Sequence, residues 1–157
     1  MDRRTLFAGL AAGLAPSAAP TGNVAGAFAA ALSAHDIEAF AALFADDYAQ
    51  HQTSAAAKPP PAGISAKQAT KAYFAARLAA LPDLRVVADP VVVAGDWVAA
   101  NFTYAGTHTG AAYFGVPPSG RAIAFTSCDI LQLRAGLIAA HWGAADIAGL
   151  MAQLRGG

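Results

Sequence analysis

Hydrophobic residues in the first half of the chain recur at helical spacing. Residues 24–32 carry one such pattern, and residues 37–44 carry a second at positions i, i+3, i+4 and i+7, directly after Asp36, a residue type that favours helix N-caps. A third pattern runs from Ser65, another N-cap type, to about Leu81. Residues 54–63 contain three consecutive prolines, which favour an extended loop. The pattern therefore predicts three helices, with a turn and a short strand over residues 45–52.

From Leu84 onward the spacing changes to every second residue, which predicts β-strands. Gly95-Asp96 suits a two-residue hairpin turn, and Pro90 predicts a bulge or an edge position in the first strand. A long strand is predicted over residues 121–133, followed by a turn at Ala135-Gly136, a strand over 137–142 and a last helix capped by Asp146. Helices first and an antiparallel meander afterwards predict an α+β fold, with helices packed on one face of a curved sheet.

Composition narrows the classes of partner. The chain has 157 residues, 56% of them hydrophobic, which fits one domain with a substantial core. Ten basic and ten acidic residues balance, so no basic surface argues for nucleic acid. A single cysteine excludes an intramolecular disulfide and any metal site built from several cysteines.

The first twenty residues, MDRRTLFAGLAAGLAPSAAP, have the layout of an export signal. Two arginines precede a short apolar run and a zone of small residues, and Arg3-Arg4 with Thr5-Leu6-Phe7 is similar to a twin-arginine signal. The apolar run is far shorter than the ~20 residues of a spanning helix. We therefore expect an export signal over 1–20 and one domain over 21–157. The mature protein is then periplasmic or secreted, with no membrane anchor; a plain N-terminus would leave it cytoplasmic.

One carboxylate stands in a segment that is otherwise built for burial. In a strand, Asp129 shares its face with four large apolar residues: Ile123, Phe125, Leu131 and Leu133. Burying an unpaired carboxylate costs several kcal/mol, so Asp129 either has partners or serves chemistry. His51, His108 and His141 lie in the strand region or at its entrance, and a carboxylate with an imidazole nearby can act as a general acid/base pair.

Each of these residues also has a purely structural interpretation. Asp129 can pair with an arginine or a hydroxyl, His108 can be a loop residue, and Trp142 rather than His141 can face inward. His51 belongs to a strand that is short. The histidines lack the local spacing of a zinc motif such as HExxH, so we predict no metal site.

Several short segments, in their order and spacing, resemble the SnoaL-like polyketide cyclases of the nuclear-transport-factor-like superfamily. The matching pieces are Gly95-Asp96, GTHTG at 106–110, GVPPSG at 115–120, Asp129-Ile130, and His141-Trp142 with Asp146 after it. The similarity extends over about residues 25–154. Ser119 and Ala135 depart from the usual family pattern, at positions away from the expected chemistry.

The resemblance implies a cone-shaped α+β barrel, in which a curved sheet wraps over three helices around an apolar pocket. It also implies ring closure by an aldol reaction without a cofactor, with Asp129 as the acid/base and His108 as its catalytic partner. The expected pocket residues are His51, His141, Trp142 and Tyr104, and the expected ligand is a small apolar carbonyl compound.

Three functions remain open on the sequence. One is an enzyme, a cyclase or isomerase, or a hydrolase that activates water in the same pocket. Another is an exported binding module in which Asp129 only orients a small apolar ligand. The last is a structural module that forms a homodimer through its sheet, as members of this superfamily often do.

Overall fold

The computed structural model describes residues 24–52 and 60–156; the predicted export signal lies outside them, as does most of the proline-containing loop. The described part is an α+β fold with four helices and one five-stranded sheet. In chain order the elements are α1 (Val24–Ser33), α2 (Ile37–Ala42), β1 (Phe44–Gln50), α3 (Ala66–Ala80), β2 (Arg85–Ala94), β3 (Trp97–Thr107), β4 (Ala122–Arg134), β5 (Leu137–Ala145) and α4 (Ile147–Arg155).

Side-chain caps fix where the helices begin. Asp36 accepts a hydrogen bond from the backbone N–H of Ala39 at 2.8 Å, which caps α2. Ser65 and Gln68 form a reciprocal capping box at the start of α3. Asp146 caps α4 in the same way as Asp36 caps α2. The three predicted N-caps are therefore confirmed.

The strands form the order β1-β5-β4-β3-β2. The meander from β2 to β5 is antiparallel throughout, with turns at Gly95-Asp96 and Ala135-Gly136 as predicted. The β2–β3 register shifts between Ala88 and Val91, so Pro90 lies at a bulge in an edge strand. The sheet thus follows the hairpin pattern read from the sequence.

The first strand differs from prediction at its start. The helical spacing of residues 37–44 predicts that Phe44 ends a helix, but α2 stops at Ala42 and Phe44 begins β1. Phe44 pairs with Ile138 because β1 runs parallel to β5 and closes that edge of the sheet. Pairing between distant segments outweighs local spacing here, as it often does for short apolar patterns.

Strand β4 alternates strictly between exposed and buried residues, with Asp129 on the buried face. That face packs on α1, α2 and α3 through a group of phenylalanine rings 4.6–5.5 Å apart: Phe28, Phe40, Phe74 and Phe102. Such aromatic pairs each add roughly 0.5–1.5 kcal/mol beyond area burial. The predicted α+β arrangement of helices on one face of a curved sheet is confirmed.

The opposite face of the sheet, which we call the outer face, is uncharged along the middle of β3 and β4. It presents Ala99, Asn101 and Thr103 on β3 and Thr126, Cys128 and Ile130 on β4. Ile130 is 47% exposed and Trp97, at the start of β3, is 42% exposed. None of the described helices is long and apolar enough to cross a membrane.

Candidate active site

A small cavity lies between the inner face of the sheet and α3. Its volume is about 10 Å³, which leaves room for about one water molecule. Both charged and aromatic side chains line it: Gln52, Tyr73, Phe74, Arg77, Tyr104, Phe125, Ser127, Asp129, His141 and Ala145. The structure therefore brings three sequence-predicted residues, Asp129, His141 and Tyr104, to one cavity.

Asp129 is 4% exposed and has two polar neighbours. Its Oδ2 accepts a hydrogen bond from the Ser127 hydroxyl at 2.9 Å, and its Oδ1 lies 3.3 Å from Nε2 of His141. Ser127 is two residues away on the same strand, so the alternation of β4 turns both side chains inward. Asp129 thus has a hydroxyl and an imidazole as partners, and its ion pairs within the described residues include no arginine.

His141 is 2% exposed, and its two ring nitrogens have different surroundings. The Tyr48 hydroxyl lies 3.2 Å from Nδ1, and the Gln50 side-chain amide lies 3.4 Å from the same atom. Nε2 faces Asp129, but the pair is not aligned as a hydrogen bond, so Nε2 is buried without a hydrogen-bond partner among the described residues. A buried polar atom in this condition points to a ligand group or a water as its missing partner.

The neighbours of Nδ1 fix the tautomer of the neutral imidazole. Oε1 of Gln50 accepts a hydrogen bond from the backbone N–H of Gln52 at 3.0 Å, so the amide NH₂ of Gln50 is the group that faces His141. Burial raises the pKa of Tyr48, which keeps its hydroxyl protonated and able to donate. The Gln50 NH₂ can only donate, so Nδ1 is an acceptor, the Tyr48 hydroxyl donates to it as well, and the ring proton lies on Nε2, beside Asp129.

Space for the carboxylate depends on a glycine in the neighbouring strand. Gly143 pairs with Asp129 across β4 and β5. A Cβ at position 143 would lie 2.1 Å from Oδ1 of Asp129 and 3.1 Å from Nε2 of His141. Gly143 therefore leaves open the volume in which the carboxylate and the imidazole approach each other.

The structure does not bring His108 into this cavity. His108 is fully buried, with Nδ1 3.3 Å from the Ser119 hydroxyl and Nε2 3.1 Å from the carbonyl oxygen of Ala111. It follows the end of β3, whereas Asp129 pairs with Ala100, eight positions earlier, which is roughly 25 Å of strand. His108 therefore anchors the loop after β3, in agreement with its interpretation as a loop residue.

His51 and Trp142 are also away from the cavity. Their rings stack 4.6 Å apart, and Trp142 pairs with Ile130 of the outer face. The reason is a register shift between Gln132 and Leu133, which moves the β4–β5 pairing by one residue. Without this shift the hairpin would set Trp142 opposite Asp129; with it, Gly143 takes that place and His141 faces inward.

The sequence also matches a known protein family. Residues 22–154 match the family model of the SnoaL-like polyketide cyclases, which is most of the chain. The chain belongs to this family. No curated protein sequence matches it.

Solved structures of similar fold agree with the family assignment. The SnoaL-like domain is 27% identical to IdmH of Streptomyces antibioticus, provisionally described as a polyketide cyclase, with a TM-score of 0.73 over 87% of this chain and 99% of that one. TsrD of Streptomyces laurentii is also 27% identical, with a TM-score of 0.71 over 84% and 92% of the two chains. AclR of Streptomyces galilaeus, provisionally described as a hydroxylase, is 20% identical with a TM-score of 0.73 over 87% and 96%, a likeness in fold.

Some residues in the cavity of the SnoaL-like domain, and some that contact its lining, were not predicted from the sequence. Arg77 lies on the buried face of α3, three residues after Phe74 and one before Leu78. A charged residue among apolar residues at helical spacing could have been recognised in the sequence as a candidate for the site. Tyr48, Gln50 and Gly143 had no such signal, because their roles depend on how β1 and β4 pair with β5. Within the described ranges, no three His, Cys, Asp or Glu side chains are grouped closely enough to hold a metal ion.

Proposed function

We propose that this protein catalyses cofactor-free acid/base chemistry on a small carbonyl compound, with Asp129 as the group that moves the proton. The observation that carries the proposal is the buried pair of Asp129 and His141 in one cavity, with Nε2 of His141 lacking a hydrogen-bond partner among the described residues. A carboxylate and an N–H donor at one point are what proton removal next to a carbonyl requires. The polyketide-cyclase description of the family favours ring closure as the overall reaction.

The chemistry follows from the two side chains. Asp129 takes a proton from the carbon next to the carbonyl, the C–H electron pair forms a C=C bond, and the carbonyl oxygen becomes an enolate. The Nε2–H of His141 donates a hydrogen bond to that oxygen as charge develops on it. In ring closure, the enolate carbon then attacks a second carbonyl of the same molecule. Protonated Asp129 returns its proton to the new alkoxide; in an isomerisation it returns the proton to carbon.

The surroundings support this division of roles. Ser127 holds Oδ2 of Asp129, which leaves Oδ1 directed toward His141 and the cavity. Gln52, Tyr73 and Ala145 are the half-buried residues of the lining, and of these Gln52 and Tyr73 have long side chains. A ligand larger than water requires these side chains to move, since the cavity has room for about one water molecule.

The test measures proton removal directly. Acetophenone in D₂O exchanges the hydrogens of its methyl group when a base forms the enolate, and ¹H NMR follows the loss of that signal. We expect the wild-type protein to accelerate exchange and Asp129→Asn to lower the rate by about 10²–10⁴-fold, the usual contribution of a positioned base. His141→Ala should lower it by about 10²-fold through loss of one donor.

Asp47→Asn is the matched control, because Asp47 is an exposed carboxylate on the surface of β1 and should leave exchange unchanged. Equal exchange by wild-type protein and Asp129→Asn would exclude the proposed role of Asp129. If both proteins bind acetophenone and neither accelerates exchange, the alternative of a non-catalytic binding module is favoured.

The outer face supports a second candidate, a homodimer formed through the sheet. Of the eight large hydrophobic side chains exposed in the described residues, seven lie on the strands and one, Ile64, lies elsewhere. A two-fold interface sets the same surface against itself, and an uncharged surface meets its copy without repulsion between like charges. We expect Ile130→Lys to shift the protein from dimer to monomer in light scattering, while Ile64→Lys, matched in exposure, does not. A monomeric wild-type protein would exclude this candidate.

A further inference from the structure

Arg77 is a buried cation that faces the same cavity as Asp129. Its side chain projects from the inner face of α3 and is 3% exposed. The centre of its guanidinium lies 4.5–5.1 Å from the centroids of four aromatic rings: Tyr73, Phe74, Tyr104 and Phe125. The rings surround the cation with the negative faces of their π systems, which lowers the cost of burying it.

Within the described residues, the guanidinium of Arg77 donates two hydrogen bonds. Nε donates to the Tyr113 hydroxyl at 2.9 Å and Nη2 donates to the Tyr73 hydroxyl at 3.1 Å. A guanidinium has five N–H donors, and these two bonds use one each. The ion pairs of the described residues involve other cations, so Arg77 has no carboxylate partner there.

A buried charge is costly unless it is paired, and neutral hydroxyls and rings compensate it only in part. Asp129 lines the same cavity, yet its neighbours are Ser127 and His141 rather than Arg77. The cavity therefore has a cation in one wall and a carboxylate in another, with the two kept apart. A ligand could bring the negative charge that Arg77 lacks, and a ligand larger than water enters this space when Gln52 and Tyr73 move.

We infer that the cavity binds a flat ligand with an anionic oxygen, a carboxylate or an acidic enol, which pairs with the guanidinium of Arg77. The aromatic walls contact the body of the ligand, and its charged oxygen receives the remaining N–H donors. Arg77 then selects among carbonyl compounds by charge. This inference rests on the proposed function only in taking this cavity as the binding site, and it does not depend on Asp129 moving a proton.

Benzoate and benzamide test the inference, because they share size and shape and differ in charge. We expect wild-type protein to bind benzoate at least about tenfold more tightly than benzamide, measured by NMR titration. Arg77→Gln should abolish that preference and Arg77→Lys, which keeps the charge, should retain part of it. Chemical-shift changes should fall on Tyr73, Tyr104 and Phe125. Equal affinities, or no saturable binding of either compound, would overturn the inference, and the wild-type comparison holds even if a variant does not fold.

Two controls establish where benzoate binds and whether Arg77 acts independently of Asp129. A surface groove between α2 and α3 contains Lys67 and Lys71, and shift changes confined to that groove would also overturn the inference. Asp129→Asn should retain the preference for benzoate or strengthen it, because it leaves Arg77 intact and removes a negative charge from the same cavity. If Asp129→Asn exchanges acetophenone as fast as wild type while Arg77→Gln loses benzoate, the acid/base proposal fails and the role of Arg77 stands.

Discussion

Gly143 lies directly opposite Asp129 in the β4–β5 pairing, and the carboxylate occupies the space where any other residue would carry its Cβ. The contact that a Cβ would make with Oδ1 is 2.1 Å, too short to be relieved without moving the carboxylate or the strand. The geometry of Asp129 and His141 therefore depends on a residue that has no functional group of its own.

We predict that Gly143→Ala destabilises the protein by about 1–3 kcal/mol, the usual cost of overpacking a well-packed site. Urea unfolding measures the change. The same substitution in an Asp129→Ala background should cost much less, because the atom it would collide with is gone, and the two changes should be clearly non-additive. Additive effects would mean that Gly143 is required for another reason.

The tautomer of His141 is a second prediction. With the Tyr48 hydroxyl and the Gln50 amide both directed at Nδ1, ¹⁵N NMR should show that the neutral form of the imidazole carries its proton on Nε2. His51, which is exposed and stacks on Trp142, supplies an internal comparison. A proton found on Nδ1 would contradict the assignment and remove the donor from the proposed mechanism.

Stability at alkaline pH follows from the buried tyrosines. Burial raises the pKa of Tyr48, Tyr104 and Tyr113 above the ordinary value of 10.0. The unfolded chain therefore loses these phenolic protons first, and the free energy of unfolding falls as pH rises past about 10, by at most about 1.4 kcal/mol per pH unit for each tyrosine. Below about pH 9 these groups make no difference to the pH dependence.

Urea unfolding at a series of pH values checks this prediction. Tyr48→Phe should make the alkaline fall shallower, because one of the contributing phenols is absent. A free energy of unfolding that stays constant from about pH 9 to about pH 11 would contradict the effect.

Export is a prediction that rests on the first twenty residues. Protein recovered outside the cytoplasm should begin after the small-residue zone, and N-terminal sequencing identifies the first residue. Changing Arg3 and Arg4 to lysine keeps the positive charge and removes the arginine pair, so it should block a twin-arginine route and spare a general one. An intact Met1 on protein that stays in the cytosol would exclude export.

The sequence predicts the strand that carries Asp129, and the face to which it turns, because alternation in β4 is unbroken over thirteen residues. It predicts three of the helix starts through Asp36, Ser65 and Asp146, where capping is a local interaction. The choice between His141 and Trp142 could not be made locally. It depends on the one-residue register shift near Gln132, which no pattern within β5 reveals.

Similar reasons limit the prediction of the rest of the site. The family resemblance predicts that His108 is the catalytic partner of Asp129. In the structure His108 lies eight positions along the chain from Ala100, the residue that pairs with Asp129, so the two side chains do not meet. Tyr48 and Gln50 are more than ninety residues from His141 in the sequence. They contact it because β1 pairs in parallel with β5, and this pairing cannot be predicted from the antiparallel meander. Arg77 was open to prediction, as the one cation on the apolar face of α3.

The placement of β1 at the edge of the sheet has a consequence for dynamics. Edge strands open more readily than central ones, and β1 pairs with β5 alone, in a register that is interrupted between Phe44 and Ala49. Each opening withdraws Tyr48 and Gln50 from the imidazole and frees its proton to move between the two nitrogens. The fraction of molecules in which His141 keeps the tautomer that the proposed reaction needs is then set by the local opening equilibrium of β1, which amide hydrogen exchange in this strand measures, rather than by global unfolding.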